Sequence, residues 1–490
     1  MLNWALALTT AALLIFTFPR FDIIWLAPAA LAPLLVAVAR ERRPGRRFLL
    51  GWSAGVVYWF GVCYWIQFVL AHYGGLGNAA GWAVFMLFCF TKALHMGFFA
   101  LLAGILMRRW FAAPAVAALW VAIEWSHGPL GFAWLDLGNA GISMAIPMRL
   151  APITGVYGLS FVFALTAAAL ALAAMGRPRV QLAWVVVLPL MVLLPPMPYA
   201  GRGHDAAVLL QPNISETEDW TPVTVDRMQR RQVALTLQTA LSQRTDPPTL
   251  AVWPEVPAPL YYDEDPRFKN YLDTLAKAAR MSLVVGVVAH TADGSPLNSA
   301  MVISPDGRPL TRYDKVNLVP FGEYVPWPFG LVAKHISTEV GDFAPGKGVV
   351  VSPVGKHKLG TFICYESAFP NFVRQFAANG AEVLINISND GWFGRSAARR
   401  QHLNMVRMRA AENRRWVLRS TNDGITATID SAGRLRGELP TYMEAASYTG
   451  FDYVHDTTFY TRHGDWFVAL CAAVALAGLA VSTKAKGKVG

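Results

Sequence analysis

Glu255, Lys315 and Cys364 are the residues in this 490-residue chain whose types and placement would permit covalent acyl chemistry. Each stands at the end of a strand-like run, in 251-AVWPE-255, 311-TRYDK-315 and 359-LGTFIC-364. A carboxylate can take the thiol proton, the thiolate can attack a carbonyl carbon, and an ammonium can stabilise the oxyanion that forms. Read singly, Glu255 is a helix or loop cap, Lys315 a solvated charge and Cys364 a buried strand residue. The neighbours favour chemistry. The string 364-CYES-367 follows a strand and opens a helix, which sets Cys364 beside amides expected to lower its pKa and help bind an oxyanion. Cys63, Cys89 and Cys471 all lie in apolar runs, so Cys364 has no cysteine in its own segment to pair with.

Alternating elements are expected to position these groups. The runs 206-AAVLLQ-211, 249-TLAVWPE-255, 282-SLVVGVVAH-290, 298-NSAMVI-303, 358-KLGTFICYE-366 and 381-AEVLINIS-388 are short and near-continuously apolar. Such runs predict strands covered on both faces. Helical patterns lie between several of them, at about 222–243, 266–281, 368–379 and 396–414. The reading is an α/β layered domain over residues 198–463.

The flanking sequence belongs to a different solvent. Of all residues, 54% are hydrophobic and only 15% charged, which excludes a disordered chain or an ordinary soluble enzyme. Apolar runs at about 3–19, 22–39, 48–71, 80–107, 111–126, 153–175, 180–197 and 464–482 predict eight membrane spans. The first lacks the basic start of a cleaved signal and reads as a retained anchor. The net charge of +11 sits beside these runs, while the polar-rich segment is nearly neutral, which argues against nucleic acid as a partner. Arg40, Arg42, Arg43, Arg46 and Arg47, then Arg108 and Arg109, Arg177 and Arg179, and Lys484, Lys486 and Lys488 all fall on one side of an eight-span bundle. The positive-inside rule then makes both termini cytoplasmic and turns residues 198–463 outward, leaving 1–197 as a seven-span bundle and 464–490 as the last span and tail. Lys92 and His95, one turn apart inside the fourth run, read as a structural pair, with headgroup binding as the rival. The arginines of the 396–414 helix read as salt-bridged packing or lipid-headgroup contact.

Around the three candidates lie 313-YDKVNLVPFGEYVP-326, 364-CYES-367, 386-NISNDGWFG-394 and 253-WPE-255. Together they resemble the nitrilase, or carbon–nitrogen hydrolase, superfamily across 203–455. With the spans, 131-GFAWLDLGN-139 and 211-QPNISETEDW-220, the chain resembles the apolipoprotein N-acyltransferase family along nearly its whole length. It departs from that pattern at Pro212, where the family has glycine, and at Ala133, where it has proline. The resemblance implies an α-β-β-α sandwich outside the cytoplasm, with Cys364 as nucleophile, Glu255 as base and Lys315 at the oxyanion with the Tyr365 amide. It makes Glu323 a second carboxylate and Tyr365 and Glu366 supporting neighbours. Trp220, Asn389, Trp392 and Phe393 are candidate substrate contacts, with packing an equal reading for Trp220. No metal or cofactor is implied.

The implied reaction moves an acyl chain from a phospholipid, phosphatidylethanolamine foremost, through a thioester to the α-amino group of an S-diacylglyceryl cysteine on an apolipoprotein. The implied location is the inner membrane of a bacterium. One rival uses the same three residues, a membrane-anchored amidase or nitrile hydrolase with water as acceptor. A second, of a different class, is a transporter or scaffold carrying an inactive nitrilase-like domain, against which the intact set argues. The aromatic stretches 125-WSHGPLGFAW-134 and 324-YVPWPFGLV-332 are candidate lids or membrane-dipping loops.

Overall fold

The computed structural model describes all residues except 200, 244–245, 256, 325–342 and 485–490. Most of the second aromatic stretch and the last two tail lysines therefore lie outside the described residues.

Helical backbone occupies each predicted apolar run. Gly77–Leu106, Val156–Ala174 and Trp466–Thr483 are long and apolar enough to cross a membrane, and Pro44–Val62 with Trp65–Tyr73 would make a fourth crossing bent by 61°. Leu2–Thr17, Ala112–Trp125 and Val180–Leu193 are apolar but shorter. Proline accounts for two of the interruptions. The second run breaks into Ile24–Leu26 and Ala32–Arg40 around Pro28 and Pro33, and the seventh alternates 3₁₀ and α turns around Pro189. Buried alanine, leucine and aromatic side chains join these helices in one apolar core.

Two six-stranded sheets follow. The first runs in the order β12 (Ala445–Phe451), β1 (Asp205–Gln211), β2 (Leu250–Val252), β3 (Ser282–His290), β4 (Pro296–Ile303), β5 (Pro309–Asp314). The second is β11 (Leu435–Glu438), β10 (Ala427–Ile429), β9 (Val417–Thr421), β8 (Val383–Ser388), β7 (His357–Ile363), β6 (Val351–Val354). In each sheet the central strands are parallel and the outer ones antiparallel.

The apolar alternation explains the layering. Ala207, Leu209, Val252 and Val284 face the second sheet's Leu359, Ile363, Ile385 and Ile387. Val208, Leu210, Ala251, Leu283 and Val285 face outward and pack with Phe268, Leu272 and Leu275 of the Pro266–Ala279 helix. The Ala398–Asn413 helix is buried on two sides. Leu403, Val406 and Ala410 pack with the sheets, while Ala398, Met405, Met408 and Ala411 join the core of the apolar helices. Its arginines are thereby forced into defined partnerships instead of a solvated face.

Candidate active site

The ends of β2, β5, β7 and β8 converge, and the predicted residues meet there. Lys315 directly follows β5 and is buried, with its Nζ 2.9 Å from Glu323 Oε1 and 3.4 Å from Glu255 Oε1. Asn298 on β4 donates through one amide nitrogen to both carboxylates, at 2.5 Å to Glu255 and 2.7 Å to Glu323. The other Glu255 oxygen accepts from the Asn389 backbone N–H at 2.8 Å, and the other Glu323 oxygen from that of Val319 at 2.8 Å. Burial alone would favour neutral lysine. The two carboxylates outweigh it and hold the ammonium above the usual lysine range.

Cys364 occupies the turn after β7 with a φ of 49°, in the left-handed region that a side chain rarely adopts. Such strain at a strand end lifts a nucleophile out of the sheet. Its carbonyl accepts from His402 Nε2 at 2.9 Å, which pins the turn from below. The expected lowering of the thiol pKa is not found. The segment after Cys364 is a five-residue 3₁₀ turn, Cys364–Ala368, and the α-helix begins only at Pro370. Burial, then the Glu255 carboxylate, push the thiol well above its ordinary value, with Lys315 opposing. At rest Cys364 therefore carries a thiol, and a role as nucleophile would require its proton to leave as attack proceeds.

The profile of the carbon-nitrogen hydrolase family matches residues 207–453, and that of the apolipoprotein N-acyltransferase N-terminal domain matches 10–169. An apolipoprotein N-acyltransferase of Geobacter metallireducens is 35% identical over 99% of this chain and 96% of its own length. The chain belongs to the apolipoprotein N-acyltransferase family. A second member, from Azotobacter vinelandii, is 33% identical over 97% of this chain and 93% of its own. Among solved structures, a carbon-nitrogen hydrolase of Helicobacter pylori aligns with 56% of this chain and 93% of its own, at 19% identity and a TM-score of 0.39.

The remaining candidate residues of this N-acyltransferase-family chain divide between the site and its supports. Glu366 accepts from the backbone N–H groups of Val316 (2.8 Å), Asn317 (3.1 Å) and Ile363 (2.7 Å) and from the Tyr313 hydroxyl. It thus ties the loop after Lys315 to the strand before Cys364, while burial pushes its carboxyl up to about 7. The Tyr365 ring stacks on Phe132 at 5.4 Å, and its hydroxyl accepts from the Ala133 N–H at 3.0 Å. Phe393 contacts Trp65 and Trp134, and the half-exposed Trp392 meets Tyr73, so both join the domain to the apolar helices. Trp220 packs on the outer apolar cluster of the first sheet. Lys92 bonds His127 and the Phe132 carbonyl (2.7 Å), and His95 stacks on His127. His95 Nδ1 also donates to the Lys92 carbonyl at 3.3 Å, so the expected pair meets through the backbone, while the Lys92 ammonium turns to His127 beneath the loop that holds Tyr365.

Asn298, His402 and Arg419 lie outside the motifs that the sequence offers, while Asp390 and Glu216 lie inside two of them without being singled out there. Asn298 is a lone amide opening an apolar run. Asp390, His402 and Arg419 form a buried cluster under Cys364, with Ser388 donating to Asp390 at 2.8 Å. Glu216 accepts from the Asn389 amide at 3.1 Å. Burial raises its carboxyl to about 8, with Asp423 and Glu255 adding and the Asn389 amide opposing. A raised folded value stabilises the fold fully below the unfolded value of about 4.3, and this contribution is lost as pH rises through about 8. Thermal unfolding of Glu216→Gln should therefore lose less stability than the parent between about pH 5 and about pH 9. Parallel pH profiles for the two proteins would refute this.

Proposed function

We propose that the chain moves a fatty acyl group from a phospholipid, foremost phosphatidylethanolamine, to the α-amino group of an S-diacylglyceryl cysteine at an apolipoprotein N-terminus. The observation that carries the reading is the buried Lys315 ammonium held between Glu255 and Glu323, both set by Asn298, beside the strained Cys364 turn. Cys364 gives its proton to Glu255 as sulfur adds to the ester carbonyl. Lys315 and the Tyr365 amide stabilise the oxyanion. The carbon–oxygen ester bond breaks, the lysophospholipid alkoxide takes the proton from Glu255, and a thioester remains. The acceptor amine then attacks the thioester and passes a proton to Glu255. That proton returns to sulfur as the carbon–sulfur bond breaks, and an amide is released. Glu323, Glu366 and Asn389 position these groups, and Trp392 and Phe393 line the approach from the apolar helices.

Location follows the same reasoning. Both substrates carry acyl chains, so a site joined to apolar helices through Tyr365, Trp392 and Phe393 suits them. The three shorter apolar helices and the broken second run, Ile24–Leu26 with Ala32–Arg40, are read as further crossings, eight in all, with residues 198–463 periplasmic, both termini cytoplasmic and the body in a bacterial inner membrane. The basic clusters on one side support this orientation. Water as the only acceptor would make the protein an amidase-like hydrolase.

Intact-mass analysis after incubation with phosphatidylethanolamine tests the proposal. An acyl-sized adduct on the Cys364 peptide is expected, discharged by a diacylglyceryl-cysteinyl peptide. Absence of an adduct, or discharge by water alone, would overturn it.

A further inference from the structure

A cavity of about 350 Å³ lies away from the thiol, on the opposite face of the Ala398–Asn413 helix. His402 on that helix points to the Cys364 carbonyl, whereas Arg400, Asn404 and Arg407 share the other face, at a spacing of four and three residues. The far wall is the turn after Leu2–Thr17, including Asp22, and the loop containing Ser143.

The charges around this cavity are arranged unusually. Arg407 donates to the Gly433 carbonyl at 2.9 Å, to Asn404 at 3.1 Å and weakly to Ser143. Among the described residues no carboxylate ion-pairs with it, although burial, with Arg400 adding, lowers it to about 10. The Asp22, Asp430 and Glu438 carboxylates act on Arg407 only from beyond ion-pair distance, and a desolvated guanidinium with no carboxylate in contact favours an anion that can accept from its remaining N–H groups. Arg400, at the rim, shares its guanidinium with Glu438 at 3.0 Å and remains partly exposed. Asp22, exposed and at a φ of 57°, adds one negative charge across the gap. Beside it Phe21, Ile23 and Trp25 stand 44%, 46% and 74% exposed, a cost in water that acyl chains would relieve.

We infer that this cavity is a second lipid site that binds a zwitterionic phosphoammonium headgroup, with the phosphate on Arg407 and Arg400 and the ammonium on Asp22. The acyl chains lie along Phe21, Ile23 and Trp25. The inference rests on the membrane placement proposed above, but not on the acyl-transfer chemistry. A bound lipid here joins the first apolar helix to the helix that carries His402. The occupant would then brace the catalytic domain on the bilayer surface.

The test is native mass spectrometry of the full-length protein in detergent, titrated with dioleoylphosphatidylethanolamine, dioleoylphosphatidylglycerol or inorganic phosphate. Arg407→Gln should weaken one phosphatidylethanolamine-binding event by about tenfold, the worth of a charge-assisted hydrogen bond. Asp22→Asn suits the left-handed turn, so it tests the ammonium without disturbing the fold. It should lower the preference for phosphatidylethanolamine over phosphatidylglycerol while leaving phosphatidylglycerol binding in place. Unchanged phosphatidylethanolamine titrations in both variants would overturn the site. Inorganic phosphate binding that depends on Arg407, with no lipid event that does, would overturn its lipid character. Acylation of Cys364 by a soluble activated ester, measured in the same proteins, reports separately on the catalytic reading and should be unaffected by either change.

Discussion

Lys315→Met should slow acylation of Cys364 by about 10²–10³-fold, the usual effect of removing one oxyanion donor. The effect has two sources. The ammonium that would face the developing oxyanion disappears. The carboxylates of Glu255 and Glu323 also lose the charge 3.4 Å and 2.9 Å away that holds them together. Asn298 would then present both to one amide nitrogen with no cation between them. The two carboxylates then repel each other, so the variant should also be less stable than the parent. In the parent, the raised Lys315 value stabilises the fold fully below the unfolded lysine value of about 10.4, and this contribution is lost only as pH rises through the still higher folded one. Quenched-flow sampling with intact-mass detection reads the rate, and thermal unfolding at several pH values reads the stability. Lys315→Arg keeps the charge but spreads it over a planar fork, and should recover stability better than rate. An acylation rate for Lys315→Met within tenfold of the parent would remove Lys315 from the oxyanion role.

The same cluster marks how far the sequence could be read. Glu255 and Cys364 were legible because each ends a short run whose apolar character announces a strand. Lys315 ends the polar run 311-TRYDK-315 and was legible through the motif around it, which carries the family resemblance. The central strands were legible for the same reason, since Val284 and Leu283 are both buried, on opposite faces. Ala427–Ile429 and Leu435–Glu438 were not, being three and four residues long with the second largely exposed. Ala445–Phe451 is half-buried and lacks a continuous apolar run, so nothing local reveals that it pairs with β1. Helix content in the apolar region was legible, but helix length was not. Prolines cut the second and seventh runs, and the third bends by 61° after Val62. Asn298 could be noticed only as a polar residue at the head of an apolar strand. Its double hydrogen bond depends on β4 lying two strands from β2, a relation no local pattern contains. The Cys364 pKa was misread because burial and the neighbouring Glu255 carboxylate are tertiary facts, and because the strand leads into a 3₁₀ turn instead of an α-helix.

The arginines of this region show the same limit and lead to the second large effect. Arg419 lies in 417-VLRST-421, where alternation alone suggests a solvent-facing charge, yet its side chain is fully buried. It donates to Asp390 at 2.7 Å, to the Ile425 carbonyl at 3.2 Å and to Asn386. Burial alone would raise Asp390, but Arg419 and then His402 hold it well below the usual carboxylate range. Arg419→Met should therefore destabilise the protein by about 3–5 kcal/mol, because it strands a buried carboxylate. A depressed folded value stabilises above the unfolded value of about 3.9 and is lost as pH falls through the lower folded one. The gap between parent and variant should thus be constant from about pH 6 to about pH 9 and narrow only in acid. Adding Asp390→Asn removes the stranded charge and should restore much of the stability. Acylation should not recover in parallel, because Asp390 also orients His402, which fixes the Cys364 carbonyl. A double variant that regained both stability and rate would reduce Asp390 to a packing residue. Recovery of stability alone would establish that the buried pair positions the nucleophile through His402.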